Sequence, residues 1–476
     1  MQMIVRHRPV YIIGPVSKTP PQQISGRGSM EGVQCLRVGE VSDWNCLKGQ
    51  RGVHPRIVPG VKILLDSDFN PLSEMNQFTL KPAHRKRRAG KSWLNTQNAY
   101  ADDLYQYKVF LIAVGLDEAD VTLADLEDYG SCFVGGISIK TRQKFRISTA
   151  YRRHGTAVRY HKQRIFLGLP SSVSLIELTS QGGFRDGIIR SDPDSPYAWL
   201  PKDEDATDKI HPILNGSWMK IFECLGPAPE EKNEAPRRDR LASETSLITG
   251  MRIDEVCSLT VQQIINLERH VDQKQPSKLI PLKITKTKGL KPGFVYLPSF
   301  LVEQLLKYIK GERQLVIDRA RKVRRNFEQT QNLFVGDLRS NYTDAGNPLT
   351  ADTLSRRFTR ACIAAGLCSS VNKHVLDEAG NPLLAASGEN VVTTETVADH
   401  TFHDLRHTFA MLTYQDCARS GEQEPWKTVQ VRLRHENVLT TLRSYLRWLD
   451  RIEETLSDNL MRFFGTIDTI GSGQPA

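Results

Sequence analysis

The stretch HTFHDLRHTFAML, residues 400–412, sets His403 and His407 on either side of Arg406, with Asp404 and Leu405 between them. Phe402, Leu405, Phe409 and Leu412 recur at helical spacing, which predicts a helix on which His403 and Arg406 lie one turn apart and project together. An imidazole beside a guanidinium suits one of two small targets, a phosphate or a metal ion. Three other pieces offer groups of the same kind. LITGMRIDEVCSL places Arg252 just after a glycine at a predicted helix start, with Glu255 three residues on. LIPLKITKTKGLKPGFVYLP alternates about a turn rich in Gly and Pro and predicts a β-hairpin that carries Lys286 and Lys288. LRHENVLTTLRSYLRW adds His435 and Tyr445.

Arginine, lysine, His-x-x-Arg, histidine and tyrosine, in that order, resemble the tyrosine recombinase (phage integrase) family. TGMRIDE, HDLRHTFA and RHENVLTTLRSYL carry the resemblance most closely. It implies a mainly α fold with a small β-sheet, in which a helical core-binding domain and a catalytic domain form a clamp around DNA. It also implies catalytic roles for Arg252, Lys286, His403, Arg406, His435 and Tyr445. Physical chemistry agrees with that set. A phosphodiester under attack gathers charge on its nonbridging oxygens, and guanidinium forks such as those of Arg252 and Arg406 bind such oxygens in pairs. Preorganised cations aimed at that charge stabilise the transition state, so no metal or other cofactor is expected. Tyr445 is the implied nucleophile, a phenol whose ionisation nearby positive charge makes easier. By resemblance the hairpin lysine protonates the leaving 5′-oxygen, with Lys286 the better match and Lys288 the alternative. His403 and His435 would bind the phosphate or help move protons. Glu255 and Asp404 would orient the cations from behind, with His407 beside them.

Two departures stand out. Arg434 occupies a position that is commonly Gly in the family. The step from His435 to Tyr445 is ten residues, one more than usual. One extra residue turns a helix by about 100°, so a turn or bulge is expected there.

At 476 residues the chain is long enough for two or three domains. The formal net charge of +10 favours a polyanionic partner. From Lys140 to Arg164 there are nine Lys or Arg and no acid, with Phe145, Tyr151 and Tyr160 interleaved. Aromatics packing inward would leave a basic face for the phosphate backbone, and Lys140, Arg142, Lys144, Arg146, Arg152, Arg153 and Arg159 are the DNA-contact candidates. Eight scattered cysteines without a CxxC pair suggest reduced thiols, and no apolar run is long enough to span a bilayer. A cytoplasmic, nucleoid-associated protein is therefore expected.

The expected layout has an N-terminal extension with a basic linker over residues 1–92, whose role is open, and a helical core-binding domain over 93–180. A linker over 181–210, a catalytic domain over 211–462 and a flexible tail over 463–476 follow. Expected partners are double-stranded DNA, further copies of the chain in a homotetramer on paired sites, and accessory DNA-bending proteins, with no membrane. A leucine-rich stripe after Tyr445 suggests a helix that docks on a neighbouring copy. The function expected is a site-specific recombinase that integrates or excises a mobile element or prophage. Three rivals are weighed against it, one of them a type IB topoisomerase, which resembles the family in chemistry but which the separate helical core-binding domain disfavours. A DNA-binding regulator that kept the fold needs only the basic face. A zinc hydrolase would read HDLRH as a relative of HExxH, with His403, His407 and His435 as ligands, but Arg406 would then set a cation beside the metal.

The lysine assignment has a direct test. Lys286→Ala should cleave normal DNA poorly and recover on DNA whose 5′-bridging oxygen is sulfur, a leaving group that needs no proton. The same rescue in Lys288→Ala instead would transfer the role.

Overall fold

A computed structural model describes residues 33–37, 60–88, 93–179, 211–213, 216–226, 235–284, 293–337, 344–378 and 380–434. The chain is mostly helical with four small two-stranded sheets among the described residues. It divides into two compact units, residues 1–204 with 371–395, and residues 205–370 with 396–476.

Unit 1 begins with an antiparallel hairpin, β1 (Val33–Arg37) and β2 (Lys62–Asp66). Then come the helices α1 (Ser73–Arg88) and α2 (Leu94–Val114). The outer edge of β2 is closed by side-chain amides. Asn76 of α1 accepts from Leu64 N and donates to Leu64 O, both at 2.8 Å. Gln97 of α2 does the same for Lys62, at 3.1 and 2.7 Å. An amide offers one donor group and one acceptor, the same pair that a neighbouring strand would present. Leu64, Met75 and Phe78 then join the core formed by Leu104, Tyr107 and Tyr129. β1, β2 and α1 thus lie in the same compact unit as the helices that follow them. The basic run KPAHRKRR lies on α1 rather than in a linker.

Thr122 caps α3 (Leu123–Ser131) through a reciprocal pair with Asp125. A short pairing of β3 (Ile137–Ser138) with β4 (Gln143–Lys144) leads into α4 (Ile147–Phe166), and α5 (Leu175–Thr179) follows. Tyr151 and Tyr160 face inward as expected.

Unit 2 holds α6 (Ser217–Leu225), α7 (Arg238–Thr249), α8 (Ile253–Cys257) and α9 (Val261–Ile265). The predicted hairpin forms as β5 (Leu279–Ile284) antiparallel to β6 (Gly293–Pro298). Ile280, Leu282 and Ile284 go inward and alternate with outward Leu279, Pro281 and Lys283. Next are α10 (Ser299–Tyr308), α11 (Gln314–Val323) and α12 (Ala351–Ala364). A second hairpin, β7 (Cys368–His374) and β8 (Val392–Ala398), forms where an inserted loop or hairpin is expected before HDLRH. Its residues 371–395 group with unit 1, where Glu395 pairs with Arg142 at 2.9 Å and Lys373 at 2.7 Å. The chain returns to unit 2 for α13 (Asp404–Arg419) and α14 (Pro425–Leu433).

The seven described cysteines are all free thiols. No described helix is long and apolar enough to cross a membrane. The stretches assigned to the linker 181–210 and the tail 463–476 lie outside the described residues.

Leu64 is fully buried at the joint of hairpin and helices. Leu64→Ala is expected to cost about 3 kcal/mol, read as loss of stability in a denaturant melt. An unchanged melt would show that the N-terminal hairpin is not part of this core.

Candidate active site

Helix α7 ends at Gly250, whose backbone is left-handed at φ 65°. A Cβ there would overlap the ring of Phe409 on α13, so glycine answers both a backbone and a packing demand. The turn that Gly250 makes delivers Arg252 to the start of α8. Glu255, one turn into that short helix and 1% exposed, accepts from Arg252 N at 2.9 Å and from Arg252 Nη1 at 3.2 Å. Glu255 thus holds both the backbone and the guanidinium of Arg252.

Helix α13 supplies the second guanidinium. His403 stands at the helix N-cap and is exposed, whereas Arg406, one turn further, is only 2% exposed. Arg406 donates to the carbonyls of Gly250 and Leu433. One side chain therefore joins the turn before Arg252, the start of α13 and the end of α14. A buried guanidinium has five N–H groups to satisfy and strongly favours such acceptors.

Asp404 holds the start of its own helix. It accepts from Thr401 N at 2.7 Å and Thr401 Oγ1 at 3.2 Å, with His400 Nδ1 at 3.8 Å. It fastens the start of α13 because a carboxylate in a first helical turn sits over the unpaired N–H groups preceding it. His407 meets His403 edge-to-face, with ring centroids 4.8 Å apart. Burial, and then the nearby His403, push its pKa down to about 4, so it is an uncharged imidazole at neutral pH.

Lys286, Lys288, His435 and Tyr445, with the turn expected between the last two, lie outside the described residues. Described residues that flank the two segments, Gly293 and Arg434, meet each other close to Glu255. Gly293 opens β6 just after the lysine loop, and a Cβ on it would lie 2.7 Å from Cδ of Arg434, the residue before His435. The Arg434 guanidinium in turn donates to Glu255. Only the replacement of glycine by arginine drew attention to Arg434 in the sequence. Its place against Glu255 depends on a fold-level contact that no local pattern reveals.

Residues 225–451 match the phage integrase family. The matched stretch spans just under half of this chain. The chain's activity is that of a tyrosine-type site-specific DNA recombinase. Among solved structures it is similar to the XerH site-specific recombinase bound to palindromic difH substrate in a post-cleavage complex. That similarity has 19% identity and a TM-score of 0.47, over 80% of this chain and 84% of that one. XerA recombinase gives 19% identity and a TM-score of 0.28 over 78% and 93% of the two chains. The catalytic domain of bacteriophage HP1 integrase gives 15% and 0.24 over 50% and 87%. Comparison with curated proteins yields no match.

The basic candidates of unit 1 separate into two groups. Arg153 lies against the rings of Phe133 and Phe145, Arg152 pairs with buried Asp103, Arg142 pairs with Glu395, and Arg159 covers Tyr100. Lys140, Lys144 and Arg146 are exposed, with no ion pair among the described residues. The acids that meet the first group come from distant parts of the chain, so a run without a local acid is not a run without partners.

Gly250→Ala should destabilise the protein by about 2–3 kcal/mol through overpacking on Phe409 and the left-handed backbone. Gly421 has φ 79° and open space around it, so Gly421→Ala should cost only about 1 kcal/mol. Equal costs in thermal melts would show that the Phe409 contact is irrelevant.

Proposed function

We propose that this recombinase cuts and rejoins duplex DNA through a 3′-phosphotyrosine intermediate formed by Tyr445, and that it integrates or excises a mobile element or prophage. The observation that carries the reading is the pair of guanidinium groups, Arg252 held by Glu255 and Arg406 held beside it through Gly250. Two planar cations fixed before substrate arrives are what a phosphodiester needs as charge builds on its nonbridging oxygens.

In this mechanism the Tyr445 oxygen attacks phosphorus and the bond to the 5′-oxygen breaks. The phenolic proton leaves through His403 or His435, and Lys286 donates a proton to the departing oxygen. The new phosphotyrosine ester retains the energy of the broken linkage, so rejoining by a 5′-hydroxyl needs no nucleotide cofactor. His407, uncharged at neutral pH, backs His403 without adding a charge.

Both units would engage duplex DNA. Lys140, Lys144 and Arg146 are the preferred backbone contacts, because no acid competes for them among the described residues. Arg142, Arg152, Arg153 and Arg159 would serve mainly the fold, or contact DNA only when their present partners yield. The neighbour XerH was captured on difH DNA, which accords with a DNA substrate here. A homotetramer on paired sites, accessory bending proteins and a cytoplasmic, nucleoid-associated location complete the reading. A regulator without catalysis would need the basic residues but not the paired guanidinium groups.

Tyr445→Phe removes one oxygen and keeps the ring. DNA affinity and its salt dependence should stay near wild type, because phosphate contacts elsewhere set them. Covalent protein–DNA complex should vanish, while Tyr414→Phe, a ring packed among Phe409 and Val429, should retain it. Continued trapping by Tyr445→Phe on nicked DNA would overturn the mechanism.

A further inference from the structure

Arg434 carries three separate penalties. Its backbone is left-handed, at φ 55° and ψ 41°, where residues other than glycine are strained. Its side chain is 12% exposed and shares Glu255, itself fully enclosed, with Arg252. Its Nε and Nη1 are buried with no hydrogen-bond partner among the described residues. A glycine at this helix end would avoid all three. Natural structures rarely leave buried donors unsatisfied, and an orphaned pair on a cation points to a missing anionic partner.

The surroundings indicate that partner. Arg434 lies over Gly293, whose missing side chain leaves the room that Cδ and Cγ occupy. It is thus placed between Glu255 and the strand that leaves the lysine loop. Glu255 balances one positive charge, while Arg252 and Arg434 bring two. The cluster is one negative charge short, and burial together with Arg252 weakens the hold of Arg434 on its proton. A phosphodiester oxygen between the two guanidinium groups would supply both the missing charge and the missing acceptors.

We propose that Arg434 is a third phosphate-binding guanidinium of the active site, donating Nε–H and Nη1–H to the nonbridging oxygens of the scissile phosphate beside Arg252. This rests on the recombinase reading above and adds a catalytic residue to it. Glu255 then acts as a shared brace that holds two forks at a fixed separation. Gly293 is the complementary feature, because any side chain there would push the arginine aside.

The test uses nicked duplex DNA in single-turnover trapping, with either a normal scissile phosphate or a methylphosphonate, which has no charged nonbridging oxygen. Arg434→Gly suits the local backbone and should fold, and Arg434→Asn, which also tolerates that conformation, provides a second variant. On the normal linkage both should form covalent complex about 100-fold more slowly than wild type, the scale for removing one preorganised donor. On the methylphosphonate both should approach the wild-type rate, since little charge is left to stabilise. Equal slowing on both linkages would make Arg434 a structural residue and overturn the proposal, as would wild-type rates on the normal one. If wild-type protein forms no covalent complex on either substrate, the recombinase reading itself fails, and this proposal with it.

Discussion

Arg406 is the interaction on which the site depends. A guanidinium cannot shed its charge under any ordinary condition, so burying one obliges the fold to bring acceptors to it. Here the acceptors are the carbonyls of Gly250 and Leu433, which belong to turns far apart in sequence. Satisfying this one cation fixes the exit of α7, the start of α13 and the end of α14 relative to each other. Arg252 and Arg434 follow within two residues of those carbonyls, so their placement is inherited from the same requirement. In the proposed mechanism the cation that binds the phosphate is therefore also the cation that joins these three elements.

The parts of this arrangement that could be read from sequence were those with a local signature. The spacing of Phe402, Leu405 and Phe409 gave away α13, and the alternation of Ile280, Leu282 and Ile284 gave away the lysine hairpin. The turn at Gly250 was visible as a glycine, but its reason, the ring of Phe409 pressed against it, was not. Asp404 looked like a partner for cations because of the residues around it. Its hydrogen bond with Thr401 follows from ordinary helix capping. Arg434 was visible only as an anomaly, because its meaning lies in Glu255 and Gly293, each more than a hundred residues away.

The basic segment from Lys140 to Arg164 illustrates the opposite error of scale. Charge along a sequence window says nothing of the acids that tertiary structure brings to it. Asp103, Glu118, Glu74 and Glu395 all reach this segment from elsewhere. Arg164 is so well enclosed by Glu74 and Glu118 that it belongs to the core of unit 1. The surplus charge able to meet a polyanion is therefore smaller and more localised than the sequence suggests, centred on the exposed residues next to the short β3–β4 pairing.

The amides of Asn76 and Gln97 have a consequence for assembly. By occupying Lys62 and Leu64 on the open side of β2, they close that edge of the sheet. An incoming extended peptide would find no row of vacant backbone groups there, only side chains already engaged. Recruitment of another chain by strand addition is closed off at this edge. A partner that meets the unit at this edge must recognise side chains rather than pair with backbone.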